Sequence, residues 1–211
     1  MKIDGDGVGS TSLEWARPFA DAHQDVKFLM QPSGEHYKLL AHMAAQLRNA
    51  HLVDIGTGLG HSALALAYRA EERGNRVTTY DIVDHMAGQE RCARHHPAVR
   101  FELRDAADDI ADIAKTAHIV VLDVDGIAAQ RNLATSLIAL GFRGLLVVDD
   151  IKLTKEMEAM WGALPAQRKI DATELGHWSG TGIAALDTSF ADVELVRTVP
   201  TCGWSSAGKM L

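Results

Sequence analysis

Cysteine is scarce in this chain, with two in 211 residues, and aromatic side chains make up only 6% of it. Cys92 and Cys202 are far apart and show no metal-ligand spacing, so neither a zinc site nor a disulfide framework is expected. Two unpaired thiols fit a cytoplasmic protein. No run of 18 apolar residues occurs, so no membrane span is expected. Basic residues are the minority, 21 Lys and Arg against 28 Asp and Glu, and the formal net charge is −7. With no long basic run either, a nucleic-acid backbone is not an expected partner. The first 12 residues are polar and glycine-rich and do not read as a signal peptide. There is no internal repeat or low-complexity tract. What is there is an ordinary globular composition, 47% hydrophobic and 23% charged, at a length that fits one domain with a full core.

The most informative stretch is HLVDIGTGLGHSALALA, residues 51–67. An apolar run carries Asp54, then glycines follow at every second position (Gly56, Gly58, Gly60), then a helical apolar pattern begins. This is a buried strand, a glycine turn and a helix start. Such a turn lets a ligand lie against bare backbone, because glycine lacks a Cβ and accepts positive φ. A dinucleotide fingerprint needs G-x-G-x-x-G. Counted from Gly56 the sixth place is His61, so a nicotinamide enzyme is the weaker reading.

D-x-G-x-G-x-G in this context resembles the first motif of the class I S-adenosylmethionine (SAM) methyltransferases. The resemblance implies that the turn packs against the methionine part of SAM. It also implies that Asp54 orients the turn and the cofactor's amino group, with Gly56, Thr57, Gly58, Gly60 and Ser62 as cofactor contacts.

Further along, alternating elements point to a doubly wound, Rossmann-like α/β fold, with a mostly parallel sheet covered by helices on both faces. In that family the sheet has seven strands, one antiparallel. Residues 1–11 read as a flexible arm, and 13–30 as one or two short helices; together, 1–30 form an arm or lid ahead of a methyltransferase domain at 31–211. Such a segment could also make a homodimer contact. Helices are expected at 35–49 (with Ser33 as N-cap), 62–73, 86–95, 128–140 and 155–164. Strands are expected at 76–82, 97–103, 118–122, 144–148, 169–173, 182–186 and 193–196.

Acids recur at the strand ends, where open α/β sheets bind their ligands. Asp81 ends the second strand and suits a pair of ribose hydroxyls, with Asp84 as the competing choice. Asp105 is either an adenine contact, as the family resemblance implies, or a helix N-cap. Asp123 ends the fourth strand and Asp149-Asp150 the fifth. If those strands are neighbours, three carboxylates converge beside the glycine turn, and a divalent cation such as Mg²⁺ would offset their repulsion. The other reading has Asp123 bordering a substrate pocket and the acid pair capping a helix, with Lys152 neutralising one of them. VVLDVDG and LLVVDDI resemble the acidic metal pattern of catechol-type O-methyltransferases, in which the metal holds a substrate hydroxyl.

GEHYKLLAHMAAQL, VDIGTGLGHSALALA, YDIV, VVDDIKL, M-x-x-M-W and LGHWSGTG together resemble a narrower group, the Methyltransf_24-like proteins, over residues 33–187. The chain departs from that group at Lys152 and Thr154, where His and Asn are common. In GHWSGTG, His177 is a candidate general base, since an ordinary imidazole titrates near neutrality. The same loop could instead be a plain hairpin-like connection. Trp178 reads more readily as a cover for the core than as a wall of the mouth. The expected activity is methyl transfer to a small-molecule hydroxyl, with Asp123 and His177 as catalytic residues. The alternatives are a metal-independent O- or N-methyltransferase using a His base, or a SAM-binding protein without turnover.

Overall fold

A computed structural model describes residues 1–20, 36–187 and 193–196. Ser33 and the expected helical positions at 21–35 lie outside the described residues. The chain begins with β1 (Lys2–Asp4), α1 (Gly5–Ser10) and a 3₁₀ turn at Glu14–Phe19. Then come α2 (Tyr37–Ala44), β2 (His51–Ile55), α3 (His61–Leu66), α4 (Ala70–Arg73), β3 (Arg76–Asp81) and β4 (Val99–Leu103). The second half holds α5 (Ile110–Thr116), β5 (Ile119–Leu122), α6 (Ile127–Ala139), β6 (Leu145–Asp149), α7 (Lys155–Ala163), β7 (Arg168–Asp171), β8 (Thr181–Ala185) and β9 (Glu194–Val196). No helix among the described residues is long and apolar enough to cross a membrane.

Seven strands form one sheet in the order β4-β3-β2-β5-β6-β8-β7. β2 to β6 run parallel, and β8 is antiparallel to both β6 and β7. The chain builds outward from β2 through β3 to β4, then returns to β2's other side with β5. The strand order therefore reverses between β2 and β5, and a crevice opens beyond their carboxyl ends. The register Ile55↔Leu122↔Val148 places the ends of β2, β5 and β6 side by side. These three strands are buried throughout. That explains their continuous apolar runs, because both faces carry core. Leu52, Val121 and Val147 point into one cluster with Leu39, Leu40 and Leu64 of the helices. Val53, Val120 and Val148 point into the other, against Leu133, Met157 and Met160.

Four expectations require correction. The N-terminal residues are not a loose arm: Ile3 is fully buried, and β1 pairs in parallel with β9 as a separate two-stranded sheet. Residues 62–73 are not one helix, because Arg69 takes a left-handed φ of 57° that ends the first helix and starts the second. Residues 86–95 form turns and one 3₁₀ turn at Ala93–His95 in place of a helix. There Asp84 accepts from the Met86 amide and pairs with Arg94, which holds the segment in turns. The helix expected at 35–49 is shorter, Tyr37–Ala44.

Candidate active site

β2 delivers Ile55 into the glycine turn, where Gly56, Gly58 and Gly60 have φ of 101°, 48° and 86°. At Gly56 the requirement is strict, since a Cβ there would sit 1.7 Å from the Asp123 carbonyl oxygen. The turn can lie against the end of β5 only because that atom is missing. Tyr80 at the end of β3 accepts from the amides of Gly56 and Thr57 at 2.9 and 3.1 Å. Asp81 Oδ2 then accepts from the Gly58 amide at 2.9 Å, and its Oδ1 from Val83 at 3.0 Å. Asp81 is thus held against the glycine turn itself. Asp84 is engaged with Arg94 and is not among the residues lining the cleft.

Beneath the turn, Asp54 is fully buried. Its Oδ2 accepts from Thr79 at 2.7 Å, and Thr79 is bonded in turn to Thr57 at 2.6 Å. Burial pushes the Asp54 carboxyl up to about 7, and the hydrogen bond from Thr79 offsets only part of that. Thr57 therefore turns its side chain inward to brace Asp54, and offers a ligand only its backbone. Ser62, at the start of α3, is buried with its hydroxyl 3.4 Å from His36 Nε2.

An open cleft of about 360 Å³ lies beyond the turn, lined by Gly56, Gly58, Asp81, Ile82, Asp105 and Asp123 among others. That volume is within the range of small-ligand sites. Asp105 is the N-cap expected of it, its Oδ1 accepting from the Ala107 amide at 2.9 Å, and the residue also lines the cleft.

On the far side of Asp123 lies a polar cluster centred on Asp149, a buried residue (4% exposed) at the end of β6. His36, 1% exposed, places Nδ1 3.3 Å from Asp149 Oδ1. His177 Nδ1 lies 3.6 Å from Asp149 Oδ2 and 3.6 Å from Asp150 Oδ1. Ser179 Oγ is 2.6 Å from His177 Nδ1 and donates to Asp150 Oδ1. Burial would raise the Asp149 carboxyl, but the charge and hydrogen bonds of the two histidines outweigh it and hold the group well below the usual carboxylate range. The His177 loop is fastened to the turn after β6 by hydrogen bonds from the Ile151 amide to the Gly180 carbonyl and from the Lys152 amide to the Ser179 carbonyl, 3.1 and 2.7 Å.

Candidate metal donors gather in two groups that share Asp149. One is His36, Asp123 and Asp149, the other Asp149, Asp150 and His177; in each, the donor atoms lie within 4.8 Å of one another. The three expected acids thus approach one another only through sets that include a histidine. Lys152 does not neutralise them, because it pairs with Asp171 at 2.6 Å. Trp178 is 72% exposed, which overturns its reading as core cover; it stands beside His177 with ring centroids 5.5 Å apart. His36 was missed as a site residue. Its one signal was position, at the start of the helix that leads into β2.

Fold and site together define a doubly wound α/β protein with an open cleft at its switch point and a buried His-Asp cluster beside it. No family model and no curated protein matches the chain. Solved structures do. The S-adenosylhomocysteine (SAH)-bound methyltransferase PaMTH1 of Podospora anserina aligns with a TM-score of 0.57 at 13% identity, over 72% of this chain and 78% of its own. A Staphylococcus aureus protein described as a caffeoyl-CoA O-methyltransferase aligns with a TM-score of 0.55 at 14% identity, over 84% and 93%. The SAH complex of a Bacillus cereus O-methyltransferase aligns with a TM-score of 0.50 at 16% identity, over 72% and 80%. The fold is that of these Rossmann-like methyltransferases.

Proposed function

We propose that this protein is a SAM-dependent methyltransferase that moves a methyl group to a hydroxyl of a small molecule. One observation carries the reading: Asp123 belongs both to the wall of the glycine-turn cleft and to the polar cluster. A methyl donor in the cleft would therefore end where the groups able to take a proton begin. Asp81 suits the ribose, and the bare backbone at Gly56 and Gly58 suits the methionine part, whereas Gly60 packs against Ala93. Asp54 lies fully buried under the turn and braces it through Thr79 and Thr57. The neighbours that bind SAH or carry out O-methylation support the same assignment, as does the resemblance of the sequence to Methyltransf_24-like and catechol-type enzymes.

The chemistry asks little beyond alignment. The acceptor oxygen attacks the methyl carbon, the carbon–sulfur bond breaks, and the sulfonium leaves as the neutral thioether of SAH. Holding oxygen, carbon and sulfur in line is a proximity effect. The hydroxyl proton must go to the protein, and we assign His177 to take it. The imidazolium so formed would face Asp149 and Asp150, which stabilise its charge. Asp123 and Asp149 are suited to hold a divalent cation. Such an ion, when bound, lowers the pKa of a hydroxyl on it.

The test is transfer of a labelled methyl group from SAM to a panel of phenols, catechols, sugars and amines. Methylated oxygen is expected, with turnover falling about 10²- to 10⁴-fold in His177→Gln, the range for loss of a general base. Methylation confined to nitrogen, or none across the panel with SAH still bound, would overturn the O-methyl assignment.

A further inference from the structure

We propose that the cation site is built from His36, Asp123 and Asp149, and that it takes a first-row transition ion such as Mn²⁺, Co²⁺ or Zn²⁺ in preference to Mg²⁺. Asp150 is then not a ligand but part of the base network. The use of the ion rests on the methyltransferase reading, whereas its binding does not.

Geometry separates the two groups. Ligands at neighbouring positions around an ion with bonds of about 2.1 Å stand roughly 3 Å apart. His36 Nδ1 and Asp149 Oδ1 are 3.3 Å apart, and one donor atom each of His36, Asp123 and Asp149 lie within 4.8 Å of one another. Small side-chain shifts would bring all three onto one ion. His36 also has the orientation of a ligating imidazole, with one nitrogen toward the carboxylates and the other toward the Ser62 hydroxyl at 3.4 Å. An outer partner of this kind fixes the ring and its tautomer. Both His36 and Asp149 are almost wholly buried, so they are held in place and little water competes for them. Asp150 differs in burial and in engagement. Its side chain is 31% exposed against 6% for Asp149, and its Oδ1 accepts from Ser179, which also meets His177.

Donor chemistry then selects the ion. Mg²⁺ prefers oxygen ligands and sheds its waters reluctantly. Imidazole is a borderline donor that suits Co²⁺ and Zn²⁺, and N/O sites bind Co²⁺ more tightly than Mn²⁺ in the usual order. Replacing one carboxylate by a neutral imidazole also lowers the negative charge of the ligand set, which weakens the case for a hard ion further.

The experiment uses the full chain, stripped of metal and then titrated with Mn²⁺, Co²⁺ and Mg²⁺ in turn, with and without SAH. Mn²⁺ and Co²⁺ are expected to bind at least 10-fold more tightly than Mg²⁺. Electron spin echo spectra of bound Mn²⁺ in the wild-type protein are expected to show imidazole ¹⁴N coupling. His36→Gln is expected to weaken Co²⁺ at least 30-fold, and Asp150→Asn to change it less than 3-fold. Since His36 is buried and its replacement could prevent folding, His177→Gln is the second variant: the ¹⁴N coupling is expected to persist in it, and its loss there would place the ion in the other group and overturn the assignment. Mn²⁺ bound without nitrogen coupling, or a larger loss in Asp150→Asn than in His36→Gln, would overturn the assignment. SAH binding with no Mn²⁺ or Co²⁺ binding would also overturn it, while leaving the methyltransferase reading intact. Metal binding without SAH binding would do the reverse.

Discussion

Asp54→Asn is expected to stabilise the protein at alkaline pH and to leave it nearly unchanged at acid pH. The Asp54 carboxyl is fully buried, and its Oδ1 has no hydrogen-bond partner among the described residues. Burial lifts its titration from the ordinary 3.8 to about 7. Between those values the folded state holds a proton that the unfolded state has lost. Stability therefore falls as pH rises through that window, and the loss is complete above about 7. At 1.36 kcal/mol per pKa unit the gap amounts to about 4 kcal/mol. Asparagine is neutral at every pH and nearly the same shape. Its oxygen can accept from Thr79, and its amide nitrogen takes the place of a protonated Oδ1. The two proteins should then be alike near pH 3 and differ by about 4 kcal/mol at pH 8. Urea unfolding at both pH values measures this. With a slope near 2 kcal/mol/M, the midpoint at pH 8 should rise by about 2 M. Equal midpoints at pH 8, or a lower one for the variant, would refute the reasoning by showing the carboxylate ionised and compensated at its buried position.

Three other outcomes follow from particular contacts. Gly56→Ala should cost about 3 kcal/mol or more in thermal or urea unfolding and abolish SAH binding, because the new Cβ meets the Asp123 carbonyl and φ is positive. Asp81→Asn keeps an acceptor for the Gly58 amide but removes the charge that would meet the ribose. SAH affinity measured by calorimetry should fall about 10- to 100-fold, the 1.5–3 kcal/mol of a charged hydrogen bond, with little change in melting temperature. His51 is pushed down to about 4, chiefly by burial, while an unfolded histidine titrates near 6.5. The unfolded state therefore takes the proton first, and this residue removes stability as pH falls from about 6.5 to about 4. His51→Gln should flatten that limb of the melting-temperature profile.

The sheet was legible in the sequence because its inner strands are buried on both faces and so read as unbroken apolar runs ending in acids. The glycine turn was legible because its conformation requires glycine, and Asp81 because an acid at a strand end next to that turn has little room to be elsewhere. What was not legible depended on contacts distant in sequence or on single backbone angles. Nothing around Arg69 marks a left-handed residue, since no glycine or asparagine stands there, so the helix looked continuous. β1 gains its strand character from β9 near the other end of the chain, and three residues alone carry no period. His36 had only its position at the start of a helix as a signal, because its partner, Asp149, is set by the sheet order rather than by local pattern. Trp178 misled because large aromatics are usually buried; here the loop that fixes His177 over the acid pair leaves its neighbour outside.

The central claim is that the glycine turn, Asp54 and Asp81 form a site for the SAM cofactor, and calorimetric titration of SAH into metal-stripped protein tests it most directly. The structure leads us to expect binding in the micromolar range, weakened in Asp81→Asn. No heat of binding by the folded wild-type chain, with or without added divalent cation, would contradict the claim and leave only the fold in common with the methyltransferases.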